Sequence, residues 1–172
     1  MSKPRLPDWL LKLLDASAGH RFYPLVVALI AFSATATFTF PFVIVLIPAV
    51  LIAPRRWLLL GLLSGIASGM GGAVLVELFH YFGREVVVSR FPELVETESW
   101  QFASDWLENY GLFALMVIAG SPVPQTPAIF FYSLANPSVP GVLIAVGIGK
   151  TVKYVFLAWL TSRYPARFVE YR

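Results

Sequence analysis

Lys150 and Lys153 stand one helical turn apart at the end of a long uncharged stretch. An ammonium held at membrane depth is costly unless something meets it. The pair therefore points to a phosphate, or to a carboxylate such as Glu77, as its counterpart, with Lys150 the deeper of the two. Glu77, His80 and Arg84 follow at spacings that share one helix face. Two readings of Glu77 stay open: a group that relays protons or neutralises a cationic headgroup, and a plain partner for Arg84 reaching toward water. The third constellation is Ser121-Pro122-Val123-Pro124-Gln125-Thr126-Pro127. Three prolines in seven residues end a helix and leave backbone N–H and C=O groups free, while Ser121, Gln125 and Thr126 supply polar side chains beside them.

Other chemistries find little support. The chain has no cysteine, which removes disulfides, thiol catalysis and cysteine-based metal sites. His20 and His80 are too few and too far apart for a metal cage, so no metal and no other cofactor is expected. Gly147-Ile148-Gly149-Lys150-Thr151 has the flavour of a phosphate loop but lacks the glycine needed where Ile144 stands. A serine hydrolase with Ser64 or Ser68 as nucleophile and His80 as base competes with a packing role for those serines, and the chain is read as a non-enzyme. No dense Lys/Arg stripe with aromatic interleaving is present, which argues against nucleic acid as a partner.

The elements that position these residues follow from the charge pattern. No charged residue occurs between Arg21 and Arg55, between Arg56 and Glu77, or between Glu108 and Lys150. Of the 172 residues 58% are hydrophobic and 13% charged, more apolar side chain than one small water-soluble core hides. In lipid every backbone polar group needs an internal partner, which leaves helices, and the alternation of a barrel is absent. The expected fold class is an all-α integral membrane protein.

Two halves share one plan. Residues 22–54 form an apolar run too long for one perpendicular helix and interrupted by Pro41 and Pro48, with the break at Phe38-Thr39-Phe40-Pro41-Phe42. A complete span at 57–82 follows, with Gly61, Ser64, Gly65, Ser68, Gly69, Gly71 and Gly72 offering a close-packing face. The second half has an apolar piece at 111–120, the break at Pro122, Pro124 and Pro127, a short apolar piece at 128–135 and a full span at 139–160. Each half thus reads as a proline-broken re-entrant hairpin followed by a transmembrane helix, the two being inverted repeats. The domain plan is an interfacial amphipathic segment at 1–20, one membrane domain at 21–165 and a basic tail at 163–172. Within the membrane domain, half 1 covers about 22–83, the acidic connection 84–108, and half 2 about 109–162. Basic residues gather near the N-terminus, at Arg55-Arg56 and in the tail, whereas 84–108 holds six acids. The positive-inside rule then places both termini in the cytoplasm.

The order of these features resembles the DedA family of bacterial inner-membrane proteins, relatives of the VTT or SNARE-associated Golgi proteins. The resemblance covers roughly residues 38–162. It rests on Phe40-Pro41-Phe42 through Pro48, on Gly69 to Gly72 leading through Glu77 to Tyr81-Phe82-Gly83-Arg84, and on Tyr110-Gly111 before Ser121 to Pro127. Gly149-Lys150-Thr151-Val152-Lys153-Tyr154 is similar to the family's late Gly-Arg-x-x-Arg-Tyr pattern, with lysines for arginines. It implies opposed re-entrant helices in a multi-pass protein of the bacterial inner membrane. The implied function is movement of lipids, phospholipid or polyprenyl-phosphate carrier, by a flippase or scramblase. The family's acid beside the first prolines is missing, since residues 37–49 hold no carboxylate, and this points to uncoupled movement or a divergent substrate. The transport residues expected are Lys150, Lys153, Glu77, Arg84, Gln125, Ser121 and Thr126, with membrane lipids as partners and a homo-oligomer permitted by the glycine faces. The alternatives are a non-transporting membrane-homeostasis scaffold and an ion-coupled transporter of small solutes.

Overall fold

Where the sequence gives a capping signal, a helix begins. Ser138 accepts a hydrogen bond from the Gly141 N–H at 3.2 Å, Pro140 occupies the first turn, and the helix runs without a breaker from Val139 to Arg163. The computed structural model describes residues 12, 14, 16–17, 19–37, 40–90, 98–123, 125–134 and 138–165, with the backbone alone at 84, 86–90, 99–104, 106–108 and 127. Among the described residues every regular element is helical: α1 (Tyr23–Thr37), α2 (Val43–Ile52), a 3₁₀ turn (Pro54–Arg56), α3 (Trp57–Arg90), α4 (Glu98–Gly120), α5 (Thr126–Leu134) and α6 (Val139–Arg163). The expected segment at 1–20 lies mostly outside the described residues, although Leu14 is buried in the same cluster as Tyr23 and Val27.

Two helices, Pro54–Gly83 and Val139–Arg163, are long and apolar enough to cross a membrane. At 1.5 Å per residue α1 and α2 reach only about 22 and 15 Å, short of a hydrocarbon core of about 30 Å. Large apolar side chains face outward at helical spacing: Ile66, Met70, Val74 and Leu78 on α3, Ile144, Ile148, Val152 and Phe156 on α6, Phe113 and Val117 on α4. The most apolar window of α6 is only 33% buried, unlike the core helix of a water-soluble protein. Stripes of this extent suit hydrocarbon and are rare on surfaces that face water.

Glycine decides how the long helices meet. A methyl group placed on Gly61 would lie 2.8 Å from Val155 Cα, one on Gly69 would lie 2.8 Å from Gly147 Cα, and one on Gly65 would strike the Thr151 backbone. Rising numbers on α3 meet falling numbers on α6, so the two cross antiparallel at backbone contact. The Ser68 hydroxyl donates to the Ala31 carbonyl at 3.5 Å and Gly71 abuts Phe32 and Thr35, so α1 runs parallel to α3. Leu112 lies against Gly141 and Met116 against Gly149, so α4 runs parallel to α6. The glycine face on α3 is therefore consumed within the chain.

Each short helix packs across onto the long helix of the other half. Phe42, beside the start of α2, meets Tyr154 of α6 with ring centroids 5.1 Å apart. On the other side Phe130 of α5 meets Phe79 of α3 at 5.3 Å, and His80 Nδ1 donates to the Ser133 carbonyl at 2.8 Å. The buried Tyr23 hydroxyl donates to the Ala49 carbonyl at 3.0 Å, bringing the start of α1 beside the end of α2. Two clusters of buried side chains result, one centred on Tyr23, Val45 and Tyr154, the other on Val76, Ile129 and Val146.

Three expectations need correction. Pro48 does not break the chain: it lies buried inside α2, where it costs the partner of one carbonyl while tight packing holds the helix around it. The helix expected to end at 82 continues to Arg90, since charges change its solvent but no breaker stands before Pro92. Residues 98–120 form one helix through Gly111 rather than a connection and a separate piece, glycine costing only about 1 kcal/mol in a helix interior.

Candidate functional site

Two interruptions of the helical chain lie on one cavity. The first separates α1 from α2. Pro41 cannot donate to a preceding turn, and helix resumes only when the Ile44 N–H reaches the Pro41 carbonyl at 3.1 Å and the Val45 N–H reaches Phe42 at 2.9 Å. The second separates α4 from α5. The Ser121 N–H closes α4 onto the Val117 and Ile118 carbonyls, and the Ser121 hydroxyl donates to Ile118 at 2.9 Å while accepting from the Val123 N–H at 3.2 Å. A serine that satisfies both the last helical carbonyl and the turn is a local stop signal. Pro122 lies in this break, whereas Pro127 opens the first turn of α5, where its missing N–H has no partner to lose. Pro124 and Thr39 lie outside the described residues.

The cavity holds about 420 Å³. Ala34 and Thr35 end one wall, residues 40–43 form the first break, Ala119, Pro122, Val123, Gln125 and Thr126 the second, and Lys150, Lys153 and Tyr154 close it from α6. Helices α2 and α5 both begin at its edge, so their first N–H groups add to the positive character of the lysines. Among the described lining residues there is no carboxylate.

The lysines differ in what they hold. Lys153 Nζ donates to the Ser121 carbonyl at 2.6 Å, caps the carbonyl end of α4 and ties α6 to the second break. Lys150 Nζ donates to the Tyr154 hydroxyl at 3.1 Å and lies 5.4 Å from the centre of that ring. Tyr154 is almost fully buried and its ring packs against Phe42. A buried, packed acceptor thus fixes where the ammonium stands. Gln125 lines the same cavity, and its buried Oε1 has no partner among the described residues. Replacing Lys153 with methionine should lower the melting temperature in detergent by about 5 °C, from the loss of one charge-assisted hydrogen bond of roughly 2 kcal/mol. Scanning fluorimetry checks this.

Of the residues singled out in the sequence, Lys150, Lys153, Gln125, Thr126, Pro41 and Pro122 line this cavity. Ser121 borders it through the carbonyl that Lys153 holds. Glu77 does not join them: it is exposed on α3 above a shallow apolar groove with Val74 and Val139, away from Lys150. The side chain of Arg84 lies outside the described residues. The hydrolase reading fails on distance, because Ser68 and His80 are twelve residues apart on one continuous helix, about 18 Å, and Nδ1 is already committed to Ser133. Residues 147–151 are helical and form no loop. Tyr154 and Phe42 were not among the expected site residues. The signal for Tyr154 was its position one turn beyond Lys150. Compared with known proteins, the chain matches no family model, no curated protein and no solved structure.

Proposed function

We propose that the chain is a multi-pass membrane protein of the DedA type that moves anionic lipids across the bacterial inner membrane, acting as a flippase or scramblase. The helix breaks lie within the hydrocarbon layer, and α1–α2 and α4–α5 are opposed re-entrant pairs of an inverted repeat with both termini cytoplasmic. What carries the reading is one juxtaposition: both helix breaks and Lys150 border the same cavity, with no carboxylate among its described lining residues. A headgroup in that cavity meets an ammonium and two helix starts, while its chains stay against the outward apolar stripes. The barrier to flipping is the removal of a charged headgroup from water, and a polar recess lowers it.

The test is reconstitution in liposomes with nitrobenzoxadiazole-labelled phosphatidylglycerol and dithionite quenching. Faster loss of inner-leaflet fluorescence than in empty vesicles is expected, and an unchanged rate with folded protein overturns the proposal. Accessibility gives an independent check on a chain without cysteine. Cysteines introduced at Phe40 and Gln125 should react with a membrane-impermeant maleimide in intact vesicles, and one at the fully buried Val76 should not.

A further inference from the structure

A second groove, of about 450 Å³, lies at the end of the bundle where α3 begins and α6 finishes. Its walls are Pro54, Arg55, Trp57, Trp159, Ser162 and Arg163. Thirteen residues of helix, about 20 Å, separate Arg163 from Lys150, so this groove is distinct from the cavity. The fold brings two arginines that are remote in sequence into one groove, with no carboxylate among its described lining residues. Arg56, next in sequence, is employed differently: its Nη1 donates to the His20 carbonyl at 2.7 Å.

We propose that this groove binds the headgroup of an anionic phospholipid. Two guanidiniums lining one groove concentrate positive charge there, and phosphodiester oxygens match their planar donors. The backbone is nearly neutral in the matter: the start of α3 favours an anion and the end of α6 opposes it by a similar amount. The choice therefore rests with the arginines.

A soluble phosphate would satisfy the arginines and leave the rest of the surface unused. Trp159 is 44% exposed, and Phe156, one turn deeper on α6, is 60% exposed with its ring centroid 6.2 Å away. Val152 continues the same outward stripe. A cationic rim, indole rings at the boundary and an apolar wall below reproduce the profile of a phospholipid from headgroup to chain. The proposal rests on the membrane reading given above.

The experiment uses the full chain carrying Lys150→Met, so that the cavity keeps only Lys153, whose ammonium is tied to the Ser121 carbonyl. Native mass spectrometry from detergent micelles measures retention of phosphatidylglycerol and of phosphatidylcholine with the same acyl chains. Preference for phosphatidylglycerol is expected. Adding Arg55→Gln and Arg163→Gln should weaken its retention about 30-fold, roughly fivefold per charge at a membrane surface, and leave phosphatidylcholine unchanged. The Arg55→Lys/Arg163→Lys protein keeps the charge and should retain most of the preference, which separates charge from misfolding. Equal retention before and after the glutamine substitutions overturns the proposal. So does displacement of the lipid by inorganic phosphate at equal concentration, which would identify a soluble-anion site. A chain that stays soluble and monodisperse without detergent overturns the membrane reading itself, whereas a detergent-requiring chain with no lipid preference overturns the groove alone.

Discussion

Lys150→Met is expected to slow lipid movement by about 10- to 100-fold while the protein remains folded. The estimate follows from losing a charge-assisted hydrogen bond to the headgroup, roughly 1.5–3 kcal/mol where water is scarce. Methionine keeps the length and the apolar stem, so the packing of α6 beside Tyr154 changes little. Lys150→Arg should restore much of the rate, because the charge returns with more donors. Dithionite quenching on matched proteoliposomes reads the rate, and size-exclusion chromatography confirms the fold. A Lys150→Met protein as fast as the parent removes the ammonium from the mechanism. Tyr154→Phe separates position from charge: it retains the ammonium and deletes the hydroxyl that orients it, so a smaller loss is expected.

Gly65→Val should destabilise the fold rather than act on the site directly. No rotamer relieves the contact, since the added Cβ itself meets the Thr151 backbone where α3 and α6 cross. The helices must separate there, and α3 and α6 both contribute to each of the two buried clusters. Overpacking of a tight site costs about 1–3 kcal/mol or more, equivalent to roughly 10 °C in melting temperature at the upper end. Gly19→Val is the matched control, because among the described residues nothing lies within 4 Å of its missing side chain. A melting temperature lower by about 10 °C for the first and an unchanged melting curve for the second is the expected pattern. Equal behaviour would mean that the α3–α6 crossing is looser than described.

Much of the architecture is legible before folding, and the exceptions have physical causes. Pro41 and Pro48 look equivalent in a hydropathy profile. Pro41 interrupts the chain because a polar cavity receives the freed backbone groups, whereas Pro48 stays helical because α1 packs beside it, with Tyr23 hydrogen-bonded to Ala49. Gly61, Gly65 and Gly69 announce a close helix contact by spacing alone, but spacing names no partner. Their partner is α6 of the same chain, which leaves these glycines unavailable as an oligomer face. The end of α3 was misplaced because charges mark where water begins, while helix ends follow from backbone breakers.

Charge-free runs, helical periodicity and the prolines determine by themselves a helical chain, its apolar spans, the two places where helix gives way and the basic and acidic ends. These are local properties, set by what each backbone and side chain does in lipid or water. Which charges face inward is not local. Glu77 and Lys150 both stand on long apolar helices, and either could have faced the interior. The glycine contacts set the rotation of α3 against α6, and that rotation leaves Glu77 outside and turns Lys150, Lys153 and Tyr154 into the cavity. A helix fixes the angles among its own side chains, but its orientation about its axis comes only from the neighbour it packs against.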